Sequence, residues 1–105
     1  MLIKEVPMKN IVVLVSGGGT NLQALIDAEK RGEIKGGKIT CVISSKEGAY
    51  ALKRAENANI PAVVIPRKDY SDSLSYSKAI LAELDRQKAD LVVLAAAIEP
   101  DKSAR

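Results

Sequence analysis

The feature that most limits what this chain can fold into is a repeated alternation of short apolar runs with amphipathic segments. It is first met in "NIVVLVSGGGTNLQALID", Asn10 to Asp27. Ile11 to Val15 is a continuous aliphatic run, the pattern of a strand buried on both faces of a parallel sheet. The run breaks at Ser16 into Gly17, Gly18 and Gly19. A helix is expected from about Asn21 to Lys30, because Leu22, Leu25 and Ile26 fall at i, i+3 and i+4 and share one face. Thr20 or Asn21 is placed to cap it, and Gly32 follows its last turn.

The alternation continues. A second strand is expected over Lys38 to Ser44. A helix follows over about Ala49 to Ala58, with Leu52 and Ala55 facing inward. Asn59 sits where a left-handed cap is expected, and Pro61 forbids continuation. The third strand spans Ala62 to Ile65 and is stopped by Pro66. The polar loop "RKDYSDS" leads to a helix at about Ser73 to Gln87, with Ser77, Ile80, Leu81 and Leu84 as its inner stripe. Asp72 lies at its start, and Arg86 and Lys88 near its end, which suits the helix dipole. The fourth strand is Leu91 to Ala95. Connections this long exclude hairpins and imply parallel strands joined by right-handed crossovers. The expected fold is α/β: one domain with a doubly wound, Rossmann-like parallel sheet of about four strands in order 3-2-1-4. Such sheets bind ligands at the carboxyl ends of their strands, beside the point where the order reverses. The glycine turn falls there.

Composition narrows the ligand. The chain has 105 residues, and aromatic residues are only 3% of them, with no Phe or Trp. The core must be aliphatic, and with three Tyr as its only aromatics the chain argues against nucleic-acid recognition by base stacking. The net charge of +3 comes from interspersed signs, so no basic tail marks a nucleic-acid partner. No stretch approaches the about 20 apolar residues of a membrane span, and the N-terminus lacks a signal-peptide pattern. The expected location is cytoplasmic. The single cysteine, Cys41, lies in the strand "KITCVIS" and reads as a small buried apolar residue.

The turn itself admits few chemistries. A phosphate loop of the nucleotide-triphosphatase kind needs Lys-Ser or Lys-Thr after its last glycine, whereas Gly19 is followed by Thr20 and Asn21. A dinucleotide fingerprint needs a third glycine where Leu22 stands. It also needs an acid after strand two, where the chain reads Ser44-Ser45-Lys46. Two readings remain. Gly17 and Gly19 let the backbone turn sharply, so the N–H groups of Gly19, Thr20 and Asn21 could hold an anion at the helix N-terminus. Alternatively, the turn is only a tight connection with Thr20 or Asn21 capping the helix. The carboxylates Glu47, Asp69, Asp72, Glu99 and Asp101 read as solvated charges or caps, Lys46 as a surface lysine. Tyr50, Tyr70 and Tyr76 read as partly buried packing residues. No metal-ligand cluster stands out.

At these residues the chain resembles glycinamide ribonucleotide (phosphoribosylglycinamide) formyltransferases, N-terminal half. The match falls on Ser16, Gly17, Gly19, Thr20, Asn21, Leu22 and Gln23. It continues through "CVISSKEGAYALKRAENANIPAVVI" and "ADLVVLA", roughly residues 9 to 95. The resemblance implies that Gly19, Thr20 and Asn21 hold the 5′-phosphate of a phosphoribosyl substrate, with Ser16, Gly17 and Gly18 supporting the turn. It implies transfer of a formyl group from 10-formyltetrahydrofolate to the substrate's glycyl amine. The family's catalytic Asn, His and Asp lie in a second half, and this chain has no histidine. Ser73 stands where relatives often carry a folate-contacting basic residue, and Glu99 where many carry Arg. The expectation is therefore a truncated formyltransferase domain, with residues 1–8 as an extension and 96–105 as a divergent tail. It would have no catalytic residues of its own, weak folate binding at best, and self-association through an exposed strand-four edge. The alternative is a non-enzymatic phosphate-sugar binding module or half of a split enzyme.

Overall fold

The computed structural model describes residues 9–16 and 18–95. The expected extension, Gly17, and the tail with Glu99 and Asp101 lie outside the described residues. The elements run β1 (Lys9–Val15), α1 (Thr20–Lys30), β2 (Gly37–Ser44), α2 (Tyr50–Asn57), β3 (Ala62–Val64), α3 (Ser73–Arg86) and β4 (Leu91–Leu94). A 3-10 turn, Arg67–Asp69, shapes the loop between β3 and α3. The strands form one parallel sheet in the order β3-β2-β1-β4, as the alternation of elements requires.

β1 lies at the centre because it can be buried on both faces. Ile11, Val13 and Val15 face the layer of α1 and α2, where they meet Leu22, Ile26, Ala51 and Ala55. Val12 faces the α3 layer with Cys41, Ile43 and Ile65. The parity of β2 switches along its length: Ile11 pairs with Ile39 but Val12 pairs with Cys41, so Thr40 is the extra residue of a bulge. That slip puts Ile39 and Val42 on one face and Cys41 and Ile43 on the other.

Four local expectations need correction. Thr20 and Asn21 are already helical, and the N-cap of α1 is Gly19, in a left-handed conformation with φ 81°. In α2, Ala51 and Ala55 are fully buried while Leu52 is only half-buried, because methyl side chains permit the close approach to α1. In α3, Ser77 and Leu81 are exposed, and the inner stripe runs through Tyr76, Ala79, Ile80, Glu83 and Leu84. The rotation has a cause: the Tyr76 hydroxyl donates to the Ile65 carbonyl (2.8 Å), and its ring meets Tyr70 edge-on at 5.4 Å. Tyr50 is exposed rather than partly buried, stacked under Arg54. Asn59 adopts the expected left-handed conformation, φ 59°.

Candidate functional site

The carboxyl ends of the strands are tied into one rim. Ser45 N–H donates to Val15 C=O (3.0 Å), Ile65 N–H to Ser44 C=O (2.9 Å), and Arg67 N–H to Ser45 C=O (3.1 Å). The buried Ser44 hydroxyl accepts from Lys46 N–H (3.1 Å) and donates to Lys46 C=O (2.8 Å), which closes the turn after β2. The ends of β1, β2 and β3 thus present their following loops at the same edge of the sheet.

The glycine turn stands on this rim, between β1 and α1. Ser16 is half-buried and Gly18 exposed, while Gly19 is buried. Gly19 is required there for two reasons. Its positive φ disfavours any L side chain. A Cβ at this position would lie 2.7 Å from Ala51 Cβ and 2.8 Å from Ala51 Cα. The close approach that demands glycine here is therefore to α2. The first helical hydrogen bond of α1 runs from Gln23 N–H to Gly19 C=O (2.8 Å), so the N–H groups of Gly19 and Thr20 lie ahead of the helical ladder. Thr20 and Asn21 are exposed at the first two helical positions. The first turn of α1 carries no acidic residue, so no carboxylate of the helix offsets the positive end of its dipole.

A basic residue joins the turn that no local sequence signal singled out. Arg54 of α2 donates from Nε to the Gly18 carbonyl (2.8 Å) and from Nη1 to Gln23 Oε1 (3.2 Å). Gln23 in turn donates from Nε2 to Asp27 Oδ1 (3.0 Å). The guanidinium carbon lies 4.8 Å from the centre of the Tyr50 ring. The partners are 36 residues apart for Gly18 and 31 for Gln23, so only the fold brings them together.

One hollow borders the turn, and another lies along the same rim beyond β2. An apolar cleft of about 160 Å³ lies between Ser16, Leu14, Ile43, Tyr76, Ile80 and Leu94, on the α3 side. A second of about 510 Å³ is lined by Ser45, Lys46, Glu47, Pro66, Arg67 and Lys68, beyond β2. Lys46 therefore does stand at the end of β2, as an exposed side chain. Among the described residues, none of the candidate carboxylates Glu47, Asp69 and Asp72 is hydrogen-bonded to the turn. Asp72 caps α3 by accepting from Ser75 N–H (2.7 Å), which holds its carboxyl below the usual range. Glu47 and Asp69 are exposed loop residues. Among the described residues no group of His, Cys, Asp or Glu is arranged to hold a metal ion, and no helix is long and apolar enough to cross a membrane.

A parallel doubly wound sheet with a glycine turn between its central strand and first helix defines a class, and the comparisons name it. The chain belongs to the formyl transferase family, whose model matches residues 9–98. Within the family it is similar to the phosphoribosylglycinamide formyltransferase of Haemophilus influenzae, 51% identical over 88 residues that cover 84% of this chain and 41% of that protein. The enzyme of the same name from Escherichia coli K12 is 42% identical over 86 residues, covering 82% of this chain and 40% of that protein. The crystal structure of glycinamide ribonucleotide transformylase 1 from Symbiobacterium toebii matches with a TM-score of 0.79 at 37% identity, over 88% of this chain and 43% of that one. The resemblance read from Ser16 to Gln23 thus holds along most of the chain. The chain spans about two fifths of the length of the curated relatives it matches.

Proposed function

We propose that this chain carries the substrate-phosphate cradle of a phosphoribosylglycinamide formyltransferase. The observation that carries the reading is the geometry at Gly19. A buried left-handed glycine starts α1 at the carboxyl edge of the central strand, in a helix whose first turn lacks any acid. The N–H groups of Gly19, Thr20 and Asn21 would bind the phosphate as dipole-backed donors, and the Thr20 hydroxyl would add a further donor. Relatives named for the same reaction support the choice of a phosphoribosyl ligand.

In the complete reaction the co-substrate 10-formyltetrahydrofolate supplies the formyl group to the glycyl amine. The part of this chain is to hold the phosphate end, so that the amine is fixed in position without being touched. Fixing a reactant in this way lowers the entropic part of the barrier. Proton transfer and oxyanion stabilisation need groups at the amine and the formyl carbon. The chain has no histidine to supply either, so formyl transfer by this chain alone is not expected.

The test is calorimetric titration of the chain with phosphoribosylglycinamide and, separately, with the same riboside lacking phosphate. Binding confined to the phosphorylated form supports the cradle. Equal binding of both, or none of either at millimolar ligand, rejects it. A second reading, half of a split enzyme or a self-associating binding module, is favoured by β4. This strand is an edge of the described sheet and exposes Leu91 (51%) and Leu94 (73%). Light scattering distinguishes it: a stable, well-folded monomer that binds the riboside phosphate counts against an obligate partner.

A further inference from the structure

We propose that Arg54 is a positioning residue for the phosphate site, acting through the Gly18–Gly19 peptide. The inference rests on the cradle reading above and adds the device that sets the cradle's direction. The C=O of Gly18 and the N–H of Gly19 belong to one planar trans peptide, so they point to opposite sides. The Arg54 Nε–H draws that carbonyl toward α2 (2.8 Å). The Gly19 N–H therefore points the opposite way, away from the Arg54 Nε. Between two glycines such a peptide rotates at little steric cost, and a rotated peptide would present a carbonyl oxygen to the anion instead of a donor.

Arg54 is suited to hold the plane because it is itself held at three points. Nε engages Gly18, Nη1 engages Gln23, and the guanidinium stacks on Tyr50. Gln23 is oriented for this by its own bond to Asp27. The planar fork makes two bonds in fixed directions, which a lysine ammonium cannot reproduce. The network also gives a physical reason for the Gln of the Thr-Asn-Leu-Gln stretch: it anchors the arginine that anchors the turn.

The experiment is a titration of the full 105-residue chain, labelled with nitrogen-15, by inorganic phosphate. In the wild type, the Gly19 and Thr20 amide resonances move on titration. If they do not, the cradle reading fails, whatever Arg54 does. Given that response, three variants decide the present proposal. Arg54→Lys and Arg54→Gln each shift the Gly19 resonance before any phosphate is added, and weaken phosphate binding about tenfold. Lys53→Gln, which removes a neighbouring charge, keeps the wild-type affinity. The proposal is overturned if Arg54→Lys keeps both the Gly19 resonance and the affinity of the wild type, because charge alone then suffices. It is equally overturned if Lys53→Gln weakens binding as much as Arg54→Lys does.

Discussion

Gly19 and Ala51 stand so close that a methyl group on the first would overlap the second, its Cβ lying 2.7 Å from the alanine Cβ. The contact sets the approach of α2 to the start of α1, and with it the position of the turn. Gly19→Ala must also place a side chain at φ 81°. Strain and overpacking together predict a loss of about 2–4 kcal/mol in chemical denaturation. Gly18→Ala is the control: an added Cβ there meets nothing within 4 Å, so its stability should stay within about 0.5 kcal/mol of wild type. Equal effects of the two substitutions would contradict the packing described.

Tyr76 decides which face of α3 turns inward. Its hydroxyl donates to the Ile65 carbonyl at 2.8 Å, while the ring packs on Tyr70. Tyr76→Phe keeps the ring and deletes the bond, and should cost about 1 kcal/mol in the same assay. Tyr76→Ala removes the packing as well and should cost clearly more. A Phe variant as unstable as the Ala variant would place the effect elsewhere.

The buried thiol of Cys41 should be inert in the folded protein. Burial pushes its pKa up, and the nearby Glu83 carboxylate pushes in the same direction, so little thiolate forms at neutral pH. A disulfide-exchange reagent should label it only at the rate of unfolding, and rapidly in denaturant. Fast labelling under native conditions would overturn this.

Two carboxylates give α3 a pH dependence. Hydrogen bonds from Ser75 hold the Asp72 carboxyl below its ordinary range. Gln87 and Arg86 do the same for Glu83, with Gln87 Nε2 donating to Glu83 Oε2 at 2.7 Å. Both groups bind protons less readily when folded than when unfolded. Their stabilisation is therefore complete above the unfolded values, about 3.9 for Asp and 4.3 for Glu, and is lost as pH falls through the lower folded values. Asp72→Asn keeps an uncharged acceptor for the Ser75 N–H. Thermal unfolding of Asp72→Asn together with Glu83→Gln should fall less steeply with acid than that of the wild type. Identical acid slopes would rule this origin out.

The sheet order and the place of the turn were legible in the sequence because they follow from local patterns. Ile11 to Val15 is apolar at every position, the glycines interrupt it at one point, and Pro61 and Pro66 punctuate the later elements. What stayed hidden depends on long-range contacts. The stripe through Ser77, Ile80, Leu81 and Leu84 and the stripe through Tyr76, Ala79, Ile80, Glu83 and Leu84 are both spaced for a helix, and the contacts of Tyr76 with Ile65 and Tyr70 select between them. Glu83 looks like a surface acid until Arg86 and Gln87 are seen to satisfy it. Arg54 was one of many cations in a row of charges. Its bonds to Gly18 and Gln23 exist only once α2 is laid beside α1. That Gly19 lets the chain turn sharply is visible in the sequence; that it also admits the close approach of α2 is visible only in the fold.

The most direct measurement of the central claim is a map of amide resonances as the chain is titrated with phosphoribosylglycinamide. The account predicts that the largest shifts fall on Gly19, Thr20 and Asn21, and that they are absent with the riboside lacking phosphate. Shifts concentrated instead on Lys46, Arg67 and Lys68, around the cleft beyond β2, would contradict it and place the anion at another site.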